Sequence, residues 1–375
     1  MNREQNCGTQ PFRSQPVFNN WDVVTEGWYL VCPAADIPRG KVAGFTLCGQ
    51  RIAIFRGQDG RVRALDAFCP HMGADLANGK VVQNTLQCFF HQWRFDDEGR
   101  CVDIPCQSRI PAAAKVQHYA TEEKYGFVWV WPNAKAPRGV PEYPELEGRE
   151  LWYEAGRPVY HPCHHHVCMI NGIDAQHLKT VHHLSIDMEL LIDEHADGRI
   201  VDYTMRGEWS RAAPRERLLR ALIGKNYAYR MRYVDATVGM LTTMLETRLF
   251  GRGPALPPLR MIFAFTPLEP GRTRVQPIYL APKGVGARQN LAALMRVQAQ
   301  KWGFYFLRDE DGAVYDNIRF QTQNLLPMDK AVAKYVSYVN RLPTSPWSTT
   351  HQVGSRYPNN LVPLSVAGGR HAQST

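Results

Sequence analysis

The stretch CPHMGADLANGKVVQNTLQCFFHQW, residues 69–93, carries four metal-ligating side chains in two pairs. One residue separates Cys69 from His71, two separate Cys88 from His91, and sixteen lie between the pairs. Each pair falls on a turn between apolar runs, so two loops could close on one centre from either side. A tetrahedral zinc site with two cysteines and two histidines is one reading, and it would be structural and redox-inert. The other is a [2Fe–2S] cluster in which the cysteines hold one iron and the histidines the other. In a zinc finger cysteine pairs with cysteine and histidine with histidine, whereas here each loop supplies one of each. Interleaving favours the cluster, because both loops must reach both irons. Gly73 and Gly79 suit tight turns beside such a centre, and Trp93 could shield it from water. Cys101 and Cys106, in CVDIPC, are expected to be plain thiols.

A second set lies in NGIDAQHLKTVHHL, where Asp174, His177 and His182 are spaced DxxHxxxxH. On a helix the two histidines reach one point if the turn between them is distorted. Two imidazoles and a carboxylate on one side of an ion form the facial triad of non-haem Fe(II) sites, which leaves positions open for O2. Asp174, three residues before His177, is better placed to accept a hydrogen bond from an imidazole than to ligate. The third ligand is sought in RDEDGAVYDN, among Asp309, Glu310, Asp311 and Asp316. A further histidine run, His161 with His164, His165 and His166, is read as a strand whose side chains alternate between faces, so only alternate members could share an ion.

These groups need scaffolds. From WYLVCPAADIP to EKYGFVWVWP the chain reads as short β runs broken by Gly, Pro and Asp, which predicts an all-β module over residues 20–132. Residues 133–150, rich in Pro and Gly, form the expected linker. Over 151–345 helical stretches are set among strands, which predicts an α+β domain. Residues 1–19 and 346–375 have little to bury and are expected to be a flexible N-terminus and a C-terminal tail. Met261, Phe263, Phe265 and Trp302, with Asn171 beside the histidines, are candidates to line a substrate pocket.

Bulk properties narrow the classes. At 375 residues the chain has room for two cores. No apolar run is long enough to span a bilayer and the N-terminus lacks a secretory pattern, so no membrane role and a cytoplasmic location are expected. Nine cysteines in such a chain read as thiols and metal ligands. The net charge of +9 is scattered, with no Lys/Arg run and no nucleic-acid motif, so no nucleic-acid partner is expected.

With CxH…CxxH followed by NxxDxxHxxxxH and a late acidic cluster, the chain resembles the Rieske non-haem iron oxygenases along nearly its whole length. The resemblance implies an N-terminal all-β Rieske [2Fe–2S] domain and a helix-grip (START-like) catalytic domain. It implies Cys69, His71, Cys88 and His91 on the cluster, and His177, His182 and Asp311 on a mononuclear Fe(II), with Asp309 and Asp316 as fallbacks. Electrons from NAD(P)H would arrive through a separate ferredoxin and/or flavin reductase, and O2 would be the oxidant. Subunits of the family form head-to-tail trimers, in which Asp174 would bridge His177 to His91 of a neighbour. The stretches QCFFHQWRFDDEGRCVDIP, NGIDAQHLKTVHHLSI and DGAVYDN are most similar to members that oxidise an arylamine to a nitro group. C-hydroxylation, O- or N-demethylation and ring dioxygenation are alternatives on the same iron, and a non-enzymatic electron-transfer protein is a remote one.

Overall fold

The computed structural model describes residues 16–184, 186–209 and 214–348. Three antiparallel sheets and five α-helices make up its regular structure among these residues. The helices are α1 (His165–Ile170), α2 (Ala175–Thr180), α3 (Pro214–Ile223), α4 (Ala287–Tyr315) and α5 (Lys330–Arg341).

The N-terminal part holds two sheets. A six-stranded sheet runs in the order Tyr29–Pro33, Phe127–Trp131, His118–Lys124, Val62–Asp66, Gln50–Arg56, Val42–Leu47. A four-stranded sheet of short strands, Lys80–Val82, Thr85–Gln87, Arg94–Phe95 and Cys101–Asp103, carries the loops with the first ligand set. The run FVWVW, Phe127–Trp131, is buried at every position, as a strand covered on both faces must be. Val128 and Val130 pack with Tyr29, Val31 and Ile52 inside the N-terminal part. Phe127, Trp129 and Trp131 pack instead with Val238, Met240, Ile262 and Leu280 of the second part.

That second part is built on an eight-stranded sheet whose main path runs from Leu151–Ala155 through Arg272–Pro282, Leu259–Glu269, Val238–Leu245, Asn226–Val234 and Ile200–Trp209 to Ile186–Glu194. Its last strand, IDMELLIDE, alternates apolar and polar residues with one face turned inward. α4 lies across the strands 259–269 and 272–282, and the apolar face between them holds Met261, Phe263, Phe265 and Tyr279.

The expected linker is not a free tether. Val140, Tyr143 and Leu146 are buried in the core shared by the two parts, and the Tyr143 hydroxyl lies 2.8 Å from the carbonyls of both Leu241 and Met261. Pro and Gly there shape a packed crossing, including a short 3-10 turn at Pro144–Leu146. The two expected loose ends also need correction where they are described. Val17 and Phe18 are buried and donate their backbone amides to the Asn340 side chain at 2.9 Å. Trp347 is buried against Tyr29 and Tyr119. Isolated apolar residues in polar segments find partners that are distant in sequence, which local composition does not reveal. Residues 1–15 and 349–375 lie outside the described residues.

Candidate metal centres

The two loops of the first set close by backbone bonds. Gly73 N–H donates to Cys69 O, and Cys69 N–H to Ala74 O, both at 2.9 Å; Cys88 N–H donates to Trp93 O at 2.8 Å. Gly73 has φ +74°, a left-handed conformation that glycine adopts without strain. At Gly79 a side chain would meet the Gln87 carbonyl at 2.1 Å, so the close approach of the loops there requires glycine.

Cys69 and Cys88 are buried beside each other, while His71 and His91 are exposed with ring centroids 4.6 Å apart. Burial, with Cys88 alongside, pushes the Cys69 thiol up to about 12, so this thiol needs a bound cation to become a thiolate at neutral pH. Thiols thus pair with thiols and imidazoles with imidazoles. Among the described residues no three of these four donors converge within 4.8 Å. A tetrahedral zinc, with bonds of about 2.0–2.3 Å, would draw all four inside that limit. Two irons would not. Trp93 stacks on His71 at 4.6 Å and 9°, and Phe90 lies 3.8 Å from the His91 ring, so aromatic rings hold both imidazoles at the surface. Cys101 is buried, Cys106 is exposed, and neither forms a disulfide.

The second set is built by a broken helix. α2 ends at Thr180, and His182 N–H reaches back to the His177 carbonyl at 3.3 Å, closing a wider turn than an α-helical one. This brings His182 over His177, with ring centroids 5.1 Å apart, across a sequence spacing that a regular helix would splay by about 140°. Asp311 reaches them from α4, and one donor atom from each of His177, His182 and Asp311 lies within 4.8 Å of the others.

Hydrogen bonds aim the rings. His177 Nδ1–H donates to the backbone carbonyl of Asp174, and His182 Nδ1–H donates to Glu310 Oε2 at 2.7 Å. The Nε2 atoms are thereby left for an ion. Asp311 Oδ1 lies 3.0 Å from His182 Nε2, yet it is buried with no aligned hydrogen bond. An acceptor set side by side with another donor atom fits shared coordination better than a direct bond. Burial lowers the pKa of His177; at His182 burial acts the same way, but Asp311 and Glu310 outweigh it and hold the ring above its usual value.

None of the other candidates joins the triad, although one ring nitrogen from each of His164, His165 and His166 also lies within 4.8 Å of the others. Asp309 is exposed and pairs with Arg308 at 2.7 Å, and Asp316 accepts from His161 Nδ1 at 3.0 Å, so neither joins the triad. The Asp174 carboxylate caps α2, accepting from Gln176 N–H at 2.9 Å; its carbonyl rather than its side chain meets His177. His164 to His166 do not alternate on a strand: α1 begins at His165, and all three rings turn inward 4.0–4.4 Å apart. They pack beneath Phe18 and Trp21. Met261, Phe263 and Phe265 share the inward face of one strand. Trp302 is 72% exposed and is no pocket wall, because α4 turns Phe304, two residues on, toward Phe263 and Tyr279 instead. Asn171 is half-buried at the start of the 3-10 turn Asn171–Ile173. Reading the sequence missed Glu310 as a partner of His182, although it adjoins Asp311, and missed Phe304.

Comparison with known proteins agrees with this architecture. Residues 27–120 match the Rieske [2Fe-2S] domain. Cholesterol 7-desaturase of Hemicentrotus pulcherrimus is 38% identical over 172 residues, which are 43% of this chain and 36% of that protein. Cholesterol 7-desaturase of Bombyx mori is 27% identical over 78% of this chain and 64% of its own length, and the oxygenase subunit of vanillate O-demethylase from a Pseudomonas strain is 31% identical over 46% and 49%. The matches thus span between about a third and two thirds of these relatives. Among solved structures, dicamba monooxygenase bound to dicamba superposes with a TM-score of 0.60 at 20% identity, covering 84% of this chain and 96% of that one. NdmB of Pseudomonas putida CBB5 does so at 0.61 and 19%, covering 84% and 89%. The chain thus carries a Rieske [2Fe-2S] domain followed by a mixed α and β domain, and it shares its overall fold with these solved structures.

Proposed function

We propose that the chain is an oxygenase that uses O2 and reductase-supplied electrons to oxidise a small, largely apolar organic substrate. The observation that carries the proposal is the convergence of His177, His182 and Asp311, contributed by a broken helix and a distant helix, in a chain that also bears a Rieske domain. Cys69 and Cys88 would hold one iron of the cluster and His71 and His91 the other; His177, His182 and Asp311 would hold the mononuclear iron. A bound iron with open positions supplies O2 activation.

The residues around it supply the rest. Glu310 and the Asp174 carbonyl fix the tautomers of the two imidazoles. Met261, Phe263, Phe265 and Phe304 offer an apolar wall that would orient an aromatic ring and keep water out. Exposure of His71 and His91 suits electron passage across a subunit boundary, in keeping with a head-to-tail trimer in which Asp174 would bridge His91 of a neighbour to His177. The proposed donor is a ferredoxin or flavin reductase. The arylamine nitrogen is the first group proposed for oxidation, on the DAQH and DGAVYDN motifs. Demethylation is the second reading, favoured by the likeness to the vanillate O-demethylase subunit.

A reconstituted assay with reductase, ferredoxin and ¹⁸O2 over arylamine and aryl-methyl-ether panels tests the proposal. Incorporation of label into one product class, with about three irons per chain and a visible cluster spectrum, is expected. Asp311→Ala should lose the mononuclear iron and the activity but keep the cluster spectrum, whereas Asp309→Ala should keep all three. Full iron and full activity in Asp311→Ala would overturn the ligand assignment.

A further inference from the structure

A cavity of about 700 Å³ lies where Arg260, near the start of one strand, and Lys283, just past the end of the next, meet the first turns of α4. Its wall carries Arg149, Arg260 and Arg296. Among the described residues none of these three guanidinium groups has a carboxylate within 4.0 Å, and the one acidic residue of the wall, Glu145, pairs with none of them. Lys283, also in the wall, is already paired with Glu150 at 3.2 Å. The Nε atoms of Arg260 and Arg296 are buried without a hydrogen-bond partner. Buried donors of a charged group cost stability unless something accepts from them.

We propose that this cavity binds a small anion bearing phosphate or carboxylate groups, gripped by Arg149, Arg260 and Arg296. Guanidinium presents a planar fork that matches both anions, and three forks around one space suit a multiply charged ligand. The site is built in advance of any ligand. Arg260 lies over the Tyr143 ring, 5.7 Å from its centroid, and that tyrosine is pinned by two backbone carbonyls at 2.8 Å. Gly286, the N-cap of α4, has no side chain to cap the helix, and Gln289 of the first turn lines the cavity, so the positive end of the helix dipole adds to the charge. The strain of like charges is legible at Arg296, whose pKa is lowered by burial and then by Arg260 and Arg149. The wall includes no proposed iron ligand, so the cavity stands apart from the oxygenase site.

Calorimetric titration of the iron-loaded full chain tests it, with inorganic phosphate and succinate as separate probes at constant ionic strength and the cluster spectrum as a control for metal loss. Saturable binding of one or both is expected, and the arm that binds names the anion class. Arg260→Gln and Arg296→Gln should each weaken it about tenfold or more, and Arg149→Gln, at an exposed position, should weaken it with no effect on folding. Without anion, Arg296→Gln should melt no lower than the wild-type chain, because it removes a repelled charge. Absence of binding, or binding that all three variants leave unchanged, would overturn the proposal. Binding of an oligoglutamate peptide with neither small anion would overturn it in favour of an acidic protein surface.

Discussion

Glu310 accepts a 2.7 Å hydrogen bond from Nδ1 of His182, while Asp311, the next residue of α4, approaches Nε2 of the same ring at 3.0 Å. One imidazole is bracketed by two consecutive carboxylates, one to orient it and one that, in the proposed site, would share its ion. Glu310→Ala should therefore weaken iron binding at this site by about 10–100-fold and leave the cluster spectrum intact. Glu310→Gln, which keeps an acceptor, should retain most of the affinity. Competition with a chromophoric chelator measures both; equal affinity in wild type and Glu310→Ala would refute the orienting role.

Asp174 combines a local role with the proposed longer-range one, and the two can be separated. Its carboxylate caps α2 and its carbonyl holds His177. Asn is as good a cap as Asp, so Asp174→Asn should keep fold and iron content while slowing reduction of the mononuclear site in single-turnover experiments. Asp174→Ala should in addition cost about 1 kcal/mol of stability. Unchanged electron transfer in Asp174→Asn would remove this residue from the proposed route.

The apolar wall predicts a contrast on one helix. Phe304→Ala should alter KM and product distribution, because the ring packs on Phe263 at 5.4 Å. Trp302→Ala, two residues away and exposed, should leave both unchanged. A larger effect at Trp302 than at Phe304 would place the substrate on the other side of α4.

Asp235 gives a pH-dependent signature of the contact between the two parts. It bonds Arg199, which also holds Glu26 at 2.8 Å. Burial outweighs the neighbouring Arg138 and Arg199 and pushes the Asp235 carboxyl up to about 6. The folded chain then keeps this proton to a higher pH than the unfolded chain, whose carboxyl titrates near 4. From about pH 4 to 6 the folded state binds more protons, so stability falls as pH rises through this window. Relative to Asp235→Asn, the wild-type chain should lose on the order of 2 kcal/mol across it. Denaturant unfolding of both proteins at several pH values measures the slope, and parallel curves would contradict the raised pKa.

Both candidate ligand sets are legible in the sequence, because metal chemistry dictates residue types and the loops that present them are short. Cys69, His71, Cys88 and His91 lie within 23 residues of one another, and His177 and His182 on one interrupted helix. The order of an all-β part followed by a mixed part is legible too, since strand and helix leave different periodicities. Where sequence patterns mislead, the deciding neighbour is distant. Trp302 and Phe304 look alike in sequence, and only the packing of α4 on the sheet turns one to water and the other inward. The histidine run becomes a helix start because Phe18 and Trp21 cover it. Val17, Tyr143 and Trp347 are buried by partners up to hundreds of residues away.

The sequence by itself thus determined which residues can bind metal and in what local geometry, since spacing along a chain limits the reach of neighbouring side chains. The family resemblance names Asp311, with Asp309 and Asp316 as fallbacks; only the tertiary structure shows which of the four carboxylates lies beside both histidines. α4 presents a different side chain every 100°, and its placement against α2 selects Asp311 for His177 and His182, gives Glu310 to the far side of His182, and leaves Asp309 and Asp316 to other partners.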